Sequence, residues 1–190
     1  MNNYDDESHT YTIDGRPVPS ITQALVEAGI VETKFYNEEG RDRGSFIHKA
    51  SQYLDQKDLD LDSIPEDHKG FLDGYQEFKD CTGFEPYLHG IEKPLFHPVH
   101  YFGGTPDRWG KLNGSDVVLE LKTGSISPWT AIQTAAQEIL INFIEPALDL
   151  RRHALRLSKD GKWKLFTYND PRDHAVFLAA LQVSHWKRSH

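Results

Sequence analysis

Gly104-Thr105-Pro106-Asp107, followed after a turn by Asp116-Val117-Val118-Leu119-Glu120-Leu121-Lys122-Thr123, is the stretch that decides how this chain is read. Val117, Val118, Leu119 and Leu121 are apolar and strand-forming. The period of two along a strand therefore sends Glu120 and Lys122 to one face and Leu121 to the other. Asn113-Gly114-Ser115 supplies turn residues before that strand, which predicts a hairpin that brings Asp107 beside Glu120. Two carboxylates held that close repel each other unless a cation lies between them.

Hard oxygen ligands suit Mg²⁺ or Mn²⁺, ions that can hold a phosphate oxygen, lower the pKa of a bound water and offset charge on a pentacoordinate phosphorus. Lys122 would then orient or deprotonate the attacking water, or stabilise developing charge. An isolated Glu-x-Lys triplet is far more often what a solvated hairpin carries, so the reading depends on what surrounds it.

With their surroundings, these residues resemble the PD-(D/E)XK nuclease superfamily. Within it they are similar to the RecB-like and phage-type exonuclease branch that includes the mitochondrial genome maintenance exonuclease. Upstream, Arg43-Gly44-Ser45-Phe46-Ile47-His48 resembles the G-x-x-x-H helix from which this branch draws a histidine ligand. Downstream, Gln133 in Trp129-Thr130-Ala131-Ile132-Gln133-Thr134-Ala135-Ala136-Gln137 resembles the glutamine of a Q-x-x-x-Y helix, with Gln137 standing where tyrosine is usual. Val18-Pro19-Ser20-Ile21-Thr22 is similar to the P-S-[IV]-T signature that opens the first helix, and Arg156-Leu157-Ser158-Lys159-Asp160-Gly161-Lys162-Trp163 to a late hairpin of phage members. The order runs from about Tyr11 to Leu181.

The resemblance implies an αβββαβ core with a mixed central sheet flanked by helices, and an amino-terminal helical elaboration. It divides a single domain, 1–190, into a hairpin and helical part carrying His48 (1–85) and a catalytic sheet core (86–190). It implies hydrolysis of DNA phosphodiester bonds with Mg²⁺ or Mn²⁺, as an exonuclease of phage or bacterial recombination and repair. The metal ligands would be His48, Asp107, Glu120 and the Leu121 carbonyl. Lys122 would position the water, and Gln133 would orient the lysine or a phosphate. Ser20, Arg43, Thr123, Gln137, Arg151 and Arg152 are the substrate-side positions, and DNA the partner, with a phage annealing protein as a further one. Glu92 resembles a charged family position and is expected as an outer partner of the ligands. A module that keeps the fold but only binds nucleic acid or a partner is the alternative, although such a module gains nothing from clustered carboxylates.

Composition sets outer bounds. The 190 residues are 38% hydrophobic and 26% charged, ordinary usage for one soluble domain. No apolar run approaches the roughly 20 residues that span a bilayer, and no basic-then-apolar start suggests export, so a cytosolic location is expected, the host's if phage-encoded. The lone Cys81 excludes an internal disulfide and a four-cysteine cluster, and reads as a half-buried inert thiol. No G-x-x-x-x-G-K-[ST] stretch occurs. The net charge of −8 opposes indiscriminate binding of nucleic acid, yet it is unevenly spread. Residues 1–80 hold 18 acidic against 8 basic residues, and 81–190 hold 11 against 13. Arg151, Arg152, Arg156, Lys159, Lys162 and Lys164 form a basic run that faces either phosphates or open solvent.

Element by element, Tyr11–Val18 predicts a hairpin turning at Asp14-Gly15, and Ser20 caps a helix ended by Gly29. As a plain N-cap Ser20 needs no ligand; in the family this helix start can lie near a substrate phosphate. A second helix is expected from near Asn37 to Gln56. A third follows Pro65 to about Cys81, with an aromatic stripe of Phe71, Tyr75 and Phe78 suited to packing or to stacking bases. Strands follow near 87–97, 99–109 and 115–122, then the Gln133 helix, strands near 151–158 and 162–168, and a helix opened by Asp170-Pro171. His97 and His100 lack the further pair that a zinc site needs, and Trp109 and Trp129 fit a buried sheet margin or base stacking.

Overall fold

The computed structural model describes residues 2–32 and 38–190. The amino-terminal part opens with a three-stranded meander, β1 (Asn3–Asp5), β2 (Thr10–Ile13) and β3 (Arg16–Val18). Its β2–β3 turn is Asp14-Gly15, both at positive φ (49° and 75°), the backbone that a tight hairpin of this twist requires. Helix α1 (Ile21–Glu27) starts on a reciprocal cap, in which Ser20 Oγ accepts from the Gln23 amide at 3.1 Å and Gln23 Oε1 accepts from the Ser20 amide at 2.9 Å. It stops where Gly29 turns left-handed (φ 79°).

Helix α2 (Glu38–Asp55) follows with Glu38 and Glu39 in its first turn, where the helix dipole favours acids. The predicted start at Asn37 lies outside the described residues. A 3₁₀ turn at Leu61–Ser63 leads to α3 (Glu66–Thr82), closed by Gly83 at φ 63°. Cys81 on α3 is exposed rather than half-buried, because the helix turns its aromatic stripe, Phe71, Tyr75 and Phe78, to the core.

The carboxy-terminal part is built on a five-stranded mixed sheet: β4 (Glu85–Ile91), β7 (Arg108–Leu112), β8 (Ser115–Lys122), β9 (Arg151–Leu157) and β10 (Trp163–Tyr168), in spatial order β10-β9-β8-β7-β4. β7 and β8 are the predicted hairpin about Asn113-Gly114, with Trp109 opposite Val118 and Arg108 opposite Leu119. Helix α4 (Thr130–Ile144) crosses over so that β9 runs parallel to β8, and α5 (Arg172–Ser189) ends the chain. The order helix, three strands, helix, strand is thus present, flanked by helices on both faces.

The expected long strands 87–97 and 99–109 are each interrupted. Glu92 adopts φ 46°, Pro94 and Pro98 have no N–H for a ladder, and Thr105-Pro106 ends the next segment. A separate two-stranded ribbon results, β5 (Leu95–His97) and β6 (Phe102–Gly104), beneath the meander and α1. Gly104 makes that approach possible, since a Cβ there would stand 2.6 Å from Ile21 Cδ1. Asp107 therefore emerges from a bend rather than from mid-strand.

The two sheet faces have separate cores. Val117, Leu119 and Leu121 pack with Ile47, Tyr75 and Phe78 under α2 and α3, whereas Val118 packs with Trp109, Leu140 and Phe177 on the α4–α5 face. Burying one leucine such as Leu121 contributes about 1.5–3 kcal/mol, so a one-residue slip of β8 would bury Glu120 and Lys122 in the α2–α3 core at prohibitive cost. The apolar residues of β8 thereby aim the charged ones.

Candidate active site

Asp107 is buried and fixed from two sides. Its carbonyl accepts from the Glu92 amide at 3.0 Å, and its Oδ2 accepts from the Leu121 amide at 2.6 Å. Its other carboxylate oxygen is 3.3 Å from His48 Nδ1, and the same nitrogen is 3.2 Å from Glu92 Oε1. One ligand atom each from His48, Glu92 and Asp107 thus converge within 4.8 Å of one another, the only such group among the described residues. Two carboxylates and one imidazole are a donor set that fits a divalent cation of the Mg²⁺–Mn²⁺ kind.

Behind this group lies a buried arginine. Arg108 Nε donates to Asp55 Oδ2 at 2.7 Å, its NH1 to Glu92 Oε1 at 3.0 Å, and its NH2 to Ser51 Oγ at 3.0 Å. Asp55 also accepts from Tyr75 Oη at 2.9 Å and from Lys79 Nζ at 2.6 Å. The guanidinium offsets Asp55 and ties the orientation of Glu92 to helix α2, which carries His48, Ser51 and Asp55.

The second half of the site faces α4. Glu120 Oε1 accepts from Lys122 Nζ at 2.7 Å and Gln133 Nε2 at 2.8 Å, and Oε2 from Gln137 Nε2 at 2.5 Å. Gln133 Oε1 accepts from Lys122 Nζ at 3.1 Å, and the ammonium stands 5.1 Å over the Trp129 ring. Gln133 and Gln137, one helical turn apart, present both amides to β8. Gln137, at the position of the usual tyrosine, holds the carboxylate oxygen that Lys122 does not. Burial, and next the Asp107 carboxylate, push the Glu120 carboxyl above its ordinary pKa, against the pull of Lys122 and His48. His48, Glu92, Glu120, Lys122, Gln133 and Gln137 all line one cleft of about 1040 Å³.

The remaining predicted residues divide. Ser20 borders this cleft, with its hydroxyl engaged as the α1 cap. Arg43 and Thr123 line a second groove across α2. Leu121 enters through its backbone, its side chain being in the core. Arg152 is a correction to the phosphate-facing reading: only 4% exposed, it donates to the Ala131 and Asp170 carbonyls and pairs with Asp173 at 2.9 Å, which anchors α5 to the sheet. Arg151 is exposed but pairs in register with Val117, at the opposite end of β8 from Lys122. Trp109 is fully buried and donates to Glu145 at 3.1 Å.

Two features went unread. Glu92 was expected only as an outer partner, because its approach to Asp107 depends on the break before Pro94. The Arg108–Asp55 pair had a sequence signal: Arg108 alternates onto the same face as Leu112, opposite to the other β7 charge, Lys111, and a charge on that face requires a buried partner.

His48 titration gives a signed prediction. Burial disfavours the imidazolium, but Asp107 and Glu92 outweigh it and hold the His48 pKa well above its usual value. The stabilising imidazolium–carboxylate attraction is fully present below the ordinary imidazole pKa of about 6.5 and is lost as pH rises through the raised one. A cation needs the neutral ring, so Mn²⁺ affinity should rise with pH and binding should release a proton. Isothermal titration of wild type and His48→Ala across neutral to alkaline pH checks this. Equal affinities and equal pH slopes would remove His48 from the site.

Comparison with known proteins adds little. No known protein family matches the chain, and no curated protein does. Among solved structures, an alkaline exonuclease (LHK-Exo) from Laribacter hongkongensis is similar over 90% of this chain and 91% of that chain, at 16% identity and a TM-score of 0.31. A likeness that distant carries no argument, and the functional reading stands on the side chains themselves.

Proposed function

We propose that this protein hydrolyses DNA phosphodiester bonds with Mg²⁺ or Mn²⁺, as an exonuclease of the RecB-like and phage-type branch of PD-(D/E)XK nucleases. One observation carries the reading: His48 and Glu92, which converge with the buried Asp107, line the same cleft as the hydrogen-bonded set Glu120, Lys122 and Gln133. When bound, the cation would hold a phosphate oxygen, lower the pKa of a water and offset charge on phosphorus. His48, Asp107 and Glu92 would hold it, with Glu120 and the Leu121 carbonyl as further ligands from β8. Lys122, oriented by Glu120 and Gln133, positions the water or receives charge in the transition state. A role in phage or bacterial recombination and repair, beside a partner such as an annealing protein, is supported by the order of the sequence motifs.

The test is end-labelled single- and double-stranded DNA incubated with Mg²⁺, Mn²⁺ or EDTA. Cleavage with either metal and none in EDTA is the expected outcome. Equal cleavage in EDTA would end the metal assignment, and DNA binding without cleavage under any condition would favour a silent binding module.

A further inference from the structure

Helix α2 presents two stripes. Arg41, Ser45 and His48 face the candidate active site, while Glu39, Arg43 and Phe46 face a second groove of about 800 Å³. The two spaces meet where α2 crosses the end of β8: a Cβ on Gly44 would lie 3.8 Å from Thr123 Oγ1, and Thr123 follows Lys122 directly. The far wall of the groove is basic. Arg156 is exposed and stands in parallel register with Lys122, one strand spacing of about 4.8 Å away. Lys159 follows on the β9–β10 turn, which rests directly on α3: a Cβ on Gly70 would collide with the Lys159 carbonyl, and one on Gly74 would lie 2.9 Å from the Gly161 carbonyl oxygen. This turn is therefore held in place by packing.

Arg43 reaches in from α2 with its guanidinium 5.8 Å from the Phe71 ring centre, and no described residue accepts from its buried Nε. Arg43, Arg156 and Lys159 form no carboxylate ion pair among the described residues, although Lys159 stands near enough to attract the exposed Asp67. Glu39, Asp42 and Asp67 occupy the helix side and are exposed, so the groove is polarised rather than uniformly basic. A buried donor with no acceptor among the described residues, two exposed cations and the hydroxyl of Thr123 together suit an anion with several oxygens. The groove is walled by α2 and α3 on one side and by the end of β8 with the β9–β10 turn on the other, which suits one sugar-phosphate backbone.

We propose that Arg43, Arg156 and Lys159 form a phosphate subsite that holds a single DNA strand beside the scissile bond, across α2 from His48. The inference rests on the nuclease reading above. It also relocates the phosphate contact on β9 from Arg151 and Arg152 to Arg156, at the strand end where β8 carries Lys122.

Anisotropy of a short labelled oligo-dT with Lys122→Ala protein in EDTA, over a range of salt, tests it without requiring turnover. Adding Arg156→Ala and Lys159→Ala should weaken binding at least about tenfold at low salt and flatten the log–log salt slope by about 0.7 for each phosphate no longer neutralised. Adding Arg151→Ala should change neither quantity. Arg43→Lys, which keeps the charge without the Nε donor, should weaken binding with little change of slope. A salt slope identical in the Arg156/Lys159 variant, or duplex DNA bound more tightly than the single strand, would overturn the subsite. Wild-type protein that fails to cleave any DNA with Mn²⁺ would instead overturn the nuclease reading, and the binding series reports on the subsite independently of that result.

Discussion

Lys122→Ala is expected to lower DNA cleavage by roughly 10²–10⁴-fold while leaving DNA affinity within a few-fold of wild type, the scale of a positioned proton-transfer or charge-stabilising group. The geometry supports a role in the transition state rather than in ground-state binding. The ammonium is held on Glu120 at 2.7 Å and on Gln133 at 3.1 Å, inside the cleft that His48 and Glu92 also line. Gln133→Ala removes one orienting hydrogen bond and should give an intermediate loss, mostly in kcat. Single-turnover cleavage with saturating protein separates the chemical step from binding. A Lys122→Ala enzyme that cleaves at the wild-type rate would show that the reaction occurs elsewhere.

Arg108→Ala is expected to produce the largest loss of stability of any single change near the site, about 3–5 kcal/mol, because it strands a buried carboxylate. The side chains of Arg108 and Asp55 are both fully buried, and Arg108 also holds Glu92 at 3.0 Å. Lys79 remains on Asp55 at 2.6 Å, which sets the loss at this scale rather than higher. The double variant Arg108→Met with Asp55→Leu should recover much of the lost stability, since matched apolar replacement removes both desolvation penalties. It should nevertheless weaken cation affinity, because Glu92 loses its anchor. Urea midpoints at constant slope measure the first effect, and Mn²⁺ titration of the folded double variant the second. A midpoint shift equivalent to less than about 1 kcal/mol for Arg108→Ala would mean that the pair is hydrated in solution.

Much was legible in the local pattern. Val117, Leu119 and Leu121 alternate with Val118, Glu120 and Lys122, and that alternation is what the sheet uses, one set packing under α2 and α3 and the other turned toward α4. Asn113-Gly114 and Asp14-Gly15 prescribe their hairpins because their backbones take positive φ at low cost. Ser20 with Gln23 announces α1, and Gly29 its end. These are short-range effects, so the sequence alone determined the helices, the central hairpin and the facing of Glu120 and Lys122.

Where the elements pass over one another was decided by tertiary structure. Pro94, Pro98 and Pro106 each forbid a ladder bond, but only the packing of β5 and β6 beneath the meander and α1 turns those breaks into the bend that joins the Glu92 amide to the Asp107 carbonyl. Glu92 therefore stands beside His48, a contact across 44 positions that no spacing encodes. The same holds for the arginines of β9. Arg152 and Arg156 look alike in the sequence, yet α5 and the Ala131 carbonyl bury the first, while the parallel register with β8 sets the second beside Lys122. Charge and hydropathy mark a residue as able to bind phosphate, but whether it faces phosphate or protein depends on which long-range neighbour satisfies it first.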